Sequence, residues 1–61
     1  MIKTFKYNIS VVLDDDRGRI LEVYSALTGR YLGWCHYNSV VEHYSHPDEV
    51  EDWVNSNMNH I

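Results

Sequence analysis

Lys3-Thr4-Phe5-Lys6-Tyr7-Asn8-Ile9-Ser10-Val11-Val12-Leu13 alternates with period two: Phe5, Tyr7, Ile9, Val11 and Leu13 fall on one side, Lys6, Asn8 and Ser10 on the other. Only Val12 breaks the polar face, and the β-branched and aromatic content favours a half-buried strand from Lys3 to Leu13. The run stops at Asp14-Asp15-Asp16-Arg17-Gly18, where turn-forming carboxylates and a glycine permit a reversal.

Working outward, Arg19–Ala26 reads as a second strand and Arg30–His36 as a third, with Gly29 at the left-handed position of the connecting loop. Strict alternation sets Ile20, Tyr24, Leu32 and Trp34 on one face and Leu21, Val23, Tyr31 and Cys35 on the other, with Tyr24 opposite Leu32. Ser39 and Glu42 resemble a capping box, which predicts a short helical turn within Tyr37–Ser45. Pro47 then suits the first turn of a new helix, and Ser45 with Asp48 repeats the capping pattern.

In the last segment Val50, Trp53, Val54, Met58 and Ile61 recur along one helical stripe. Asp48, Glu49, Glu51 and Asp52 fill its opening turns, where the helix dipole favours negative charge, and they are expected to face outward. The reading is therefore a single α+β domain over residues 1–61: a three-stranded antiparallel β-meander with one C-terminal α-helix packed on a face.

A chain of 61 residues holds one core and buries only about 60% of the surface of its unfolded form. Domains this small usually add a disulfide, a metal or a partner. The single cysteine, Cys35, precludes an intrachain disulfide and fits a reducing, cytoplasmic setting. Nothing approaches the ~18 apolar residues of a membrane span, and the N-terminal stretch lacks the apolar run of a signal peptide. Nine acidic side chains against five Lys and Arg, a formal charge of −4, speak against direct nucleic-acid binding and for a basic partner.

Cys35, His36, His43, His46 and His60 invite a zinc hypothesis, but adjacent Cys35 and His36 point to opposite faces of a strand, and no ligand spacing matches a zinc module. Neither a metal nor a cofactor is expected. A Cys–His nucleophile would need an imidazole beside the thiol and a third group to orient it, and so small a core leaves little room for a substrate, so no enzyme activity is expected. The Asp14–Asp16 run lacks the ligand register of an EF-hand loop.

The aromatic load is high, with five tyrosines and two tryptophans. Interfaces favour such residues, and Tyr24, Tyr31, Trp34 and Tyr37 on and beside the second hairpin are the first candidates for a protein interface. Asp48, Glu49, Glu51 and Asp52 are the second. The expected function is a non-enzymatic protein-binding modulator, an inhibitor that blocks a functional surface of a larger intracellular protein. Short acidic chains with which phages and mobile elements occupy host proteins are of this kind. Acidic mimicry of nucleic acid, aimed at a DNA-binding enzyme, and a homodimer formed through the sheet edge or hairpin face are the alternatives.

Overall fold

The computed structural model describes residues 1–39 and 46–60. Its elements in chain order are β1 (Ile2–Lys3), β2 (Tyr7–Asp14), β3 (Gly18–Ser25), β4 (Tyr31–His36), α1 (Pro47–Asn57) and β5 (Asn59–His60). The strands form one antiparallel sheet in the order β1-β2-β3-β4-β5, so the fold is an α+β meander followed by a helix. The three predicted strands are its long members. Two-residue strands extend it at both edges, which the sequence pattern did not reveal.

The first of these arises because Lys3–Leu13 is not one strand. Thr4 donates its backbone N–H to the Tyr7 carbonyl (2.9 Å), and its hydroxyl accepts the Tyr7 N–H (3.0 Å), which folds the chain back at Phe5 and Lys6. Phe5 is thereby thrown outward and is 79% exposed. β1 lies against the start of β2 with Ile2 opposite Ile9 and Lys3 opposite Asn8.

The β2–β3 reversal is built on Asp14, whose Oδ1 accepts the N–H groups of Asp16 and Arg17, both at 2.9 Å. Gly18 follows with φ +75. The β3–β4 loop ends at Gly29, φ +77, whose N–H donates to the Ser25 carbonyl at 2.9 Å, as the left-handed position predicted there requires.

One face of the sheet carries the core: Ile9, Leu21, Val23 and Cys35 pack against Val50 and Val54 of α1, with Ile2, Tyr7, Tyr37, Trp53 and Met58 around them. Each fully buried aliphatic side chain contributes about 1.5–3 kcal/mol. Val11 and Leu13 share this face but lie beyond the helix, at 41% and 79% exposed. β2 alternates as the period-two pattern predicts, but burial along it extends only to Ile9.

Two polar bonds also hold the helix. Glu51 accepts the Lys6 N–H at 2.6 Å, and the Tyr7 hydroxyl donates to Asn55 Oδ1. Glu51 is only 8% exposed, which corrects its expected outward orientation: it clamps the β1–β2 turn to α1.

His46 is the N-cap and Pro47 occupies the first turn, without a side-chain capping bond. The predicted cap at Ser45 and the helical turn led by Ser39 and Glu42 rest on residues 40–45, which lie outside the described residues, as does Ile61. At the other end Ser56 and Asn57 bond back to the carbonyls of Asp52 and Trp53, and the chain turns extended at Met58. Met58 thus meets the core from beyond the helix, not from its stripe. No helix among the described residues is long and apolar enough to cross a membrane.

Candidate functional site

The face of the sheet turned away from α1 carries three cross-strand rows. Asn8, Tyr24 and Tyr31 form one; Ser10, Glu22 and Trp34 the next; Val12, Ile20 and His36 the third. Tyr31 joins this face because of a register shift between Val23 and Tyr24: Gly33 pairs with Val23, but Tyr31 pairs with Tyr24. Leu32 is the extra residue. The bulge corrects two expectations at once, since Tyr24 lies opposite Tyr31 and not Leu32, and Tyr31 shares a face with Trp34 instead of with Cys35.

The Tyr24 and Tyr31 rings pack with centroids 5.4 Å apart at 57°, and Trp34 meets His36 edge-on at 5.1 Å. Arg17 reaches back from the β2–β3 turn and places its guanidinium 4.4 Å from the centre of the Trp34 ring. Its Nη2 is also held at 2.9 Å by Asp14 Oδ2. This pairing keeps the Asp14 carboxyl well below the usual carboxylate range and raises the guanidinium further above neutrality. The Asp14–Arg17 bridge is part-exposed and anchors a side chain more than it adds stability. Ile20, fully buried in the third row between Val12 and His36, gives the face an apolar floor.

Glu22 stands in the middle row, half-buried, directly between Ser10 and Trp34. The Asp14–Arg17 bridge is the only ion pair among the described residues, so Glu22 makes none, although the Arg17 guanidinium lies over its cross-strand neighbour Trp34. Glu22 is not among the residues that composition and spacing single out as an interface. Its signal was present as a lone carboxylate inside the otherwise apolar run Ile20-Leu21-Glu22-Val23.

Of the predicted interface residues, Tyr24, Tyr31 and Trp34 are thus brought together, and Tyr37 is not. Tyr37 packs against the core cluster on the helix side, with the Arg19 guanidinium 5.1 Å from its ring centre. Asp48, Glu49 and Asp52 are exposed on α1. Glu49 and Asp52 line an open depression of about 360 Å³ together with Trp53, Ser56 and Asn57. This acidic surface and the aromatic sheet face lie on opposite sides of the domain, so they are two sites and not one.

Cys35 is fully buried, and burial pushes its thiol up to about 11. His36 projects from the other face, as adjacency in a strand demands. Among the described residues no group of three His, Cys, Asp or Glu is placed to hold a metal. His43 and the side chain of His60 lie outside the described residues. Of the five cations, Arg17 lies over Trp34 on the outer face and Arg19 over Tyr37 on the helix side, so these two do not line up on one face.

No protein family matches the chain, and neither does any curated protein or any solved structure. The site is therefore read from its own chemistry.

Proposed function

We propose that this chain is a non-enzymatic protein-binding modulator that docks through the outer sheet face, with Tyr24, Tyr31 and Trp34 as anchors and Glu22 as the charge that selects a basic contact. It acts by covering a functional surface of a larger protein, which makes inhibition the expected consequence. The observation that carries this reading is that the bulge at Leu32 sets Tyr31 beside Tyr24 on the same face as Trp34, a face that no helix or strand among the described residues covers. Rigid aromatic side chains offer large contact area at small entropic cost. A carboxylate among them that makes no ion pair among the described residues favours a Lys or Arg from the partner, in keeping with the net charge of −4.

Acidic mimicry is less well supported. Asp14 is committed to Arg17 and Glu51 to the Lys6 N–H, which thins both carboxylate groups on which mimicry would rest. The test is partner binding by surface variants with retained fold. Tyr31→Ala should weaken binding by about 2 kcal/mol, while reversal of Asp48, Glu49 and Asp52 to Lys should leave it largely intact. Steep loss of binding with salt and with the helix reversals would support mimicry instead.

A further inference from the structure

β2 carries an open edge. β1 pairs with it only at Asn8 and Ile9, and beyond Ile9 no strand among the described residues lies on that side. The direction of the backbone groups follows from two bonds at the strand's start. Thr4 N–H donates to the Tyr7 carbonyl and Ala26 N–H to the Lys6 carbonyl, both at 2.9 Å. Odd-numbered residues of β2 therefore point their N–H and C=O toward β1, and even-numbered ones toward β3. Past Ile9, the groups that meet solvent are those of Val11 and Leu13. These are also the two residues of β2 with exposed apolar side chains, on the part of the helix-bearing face that α1 does not cover. Met1 and Phe5, 77% and 79% exposed, lie at the same side of the sheet.

Natural edge strands are protected by lysine, proline or a bulge. Ser10-Val11-Val12-Leu13 has none of these, and its β-branched residues suit pairing. We infer that the β2 edge pairs with the β2 edge of a second copy of this chain, antiparallel about a two-fold axis through Val12. One register satisfies every open group: Val11 of each copy exchanges both backbone bonds with Leu13 of the other. The same register sets Val11 against Leu13 on the helix side, covering the exposed side chains. It places Ser10 opposite Asp14, whose charge is already taken by Arg17, so no like charges meet across the pair. Asp15 and Asp16 are carried toward the end of the sheet where the other copy holds Lys3, which adds charge complementarity. Met1 continues β1 opposite Ser10, the place that the partner's Asp14 takes in this register, so the pairing requires Met1 to turn out of the sheet plane.

The two-fold axis is perpendicular to the sheet, so the dimer is one continuous sheet with both helices on one side and both aromatic faces on the other. The pairing stands apart from the docking role proposed above, and its consequence there is bivalency.

Sedimentation of the full chain over a range of concentrations, with amide hydrogen exchange read residue by residue, tests the pairing. The expected result is a concentration-dependent dimer in which the Val11 and Leu13 amides exchange more than about tenfold slower than in dilute protein. A Val11→Lys, Leu13→Lys variant should stay folded, since both side chains are exposed, and should be monomeric. A monomer at millimolar concentration overturns the inference. So does a dimer whose Val11 and Leu13 amides exchange freely while the Trp34 surroundings change, which would mean self-association through the aromatic face.

Discussion

Asp14 takes three bonds at once, from the N–H groups of Asp16 and Arg17 and from the Arg17 guanidinium. Chiefly through that side-chain bond, its carboxyl lies below the ordinary value of 3.8 in the folded state. A depressed folded value means that the stabilisation is present above the unfolded value, about pH 4, and is lost as pH falls below it. Asp14→Asn keeps an acceptor for the turn and removes the charge. It should lower the urea midpoint only slightly near neutral pH, and the difference from wild type should close as acid protonates Asp14. Cys35 offers a second residue-level check. Buried and with its thiol pushed up to about 11, it should resist a thiol-specific dye in the native protein at mildly alkaline pH and react at once in denaturant. Rapid native labelling would show that the core opens around β4.

At the scale of elements, Gly33 makes a sharp prediction. A Cβ there would collide with the Asn59 carbonyl oxygen and crowd Met58 at 3.2 Å, so glycine is what lets β5 lie beside β4. Gly33→Ala should cost about 1–3 kcal/mol in a thermal or urea melt and free the 59–60 strand from the sheet. Glu51→Ala should cost about 2 kcal/mol by stranding the Lys6 N–H, measured the same way, and Glu51→Gln should recover much of the loss. These elements also mark where the sequence was legible. The period-two run around Ile9, the turn at Asp14–Gly18, the left-handed Gly29 and the Val50–Val54 stripe were readable, because each is a local pattern with one physical solution. Tyr31 was not, because a bulge breaks the alternation on which face assignment depends, and the pairing that creates it is non-local. Glu51 looked like its solvated neighbours Asp48 and Glu49, since its partner, the Lys6 N–H, is 45 residues away in the chain. The tie at Thr4 and the strand at Asn59–His60 are likewise products of tertiary contact.

For the whole molecule, the core of Ile9, Leu21, Val23, Cys35, Val50 and Val54 is small, and a domain of this size rarely gains more than ~3–5 kcal/mol from it. Leu21→Ala, at about 2–5 kcal/mol, should therefore unfold most of the protein at ambient temperature, as far-ultraviolet circular dichroism would read directly. Partners that bind only the folded state would offset such marginality by mass action. The two surfaces proposed for them are the β2 edge, for a second copy, and the aromatic face that carries Glu22. The central claim, that this face binds a larger protein, is tested most directly by capture from lysate. The intact chain, a Tyr31→Ala variant, and a variant with Asp48, Glu49 and Asp52 reversed to Lys would serve as parallel baits, each checked for a dispersed amide spectrum. The account predicts a protein retained by the intact chain and the helix variant and lost from Tyr31→Ala. A protein retained by Tyr31→Ala and lost from the helix variant would contradict it.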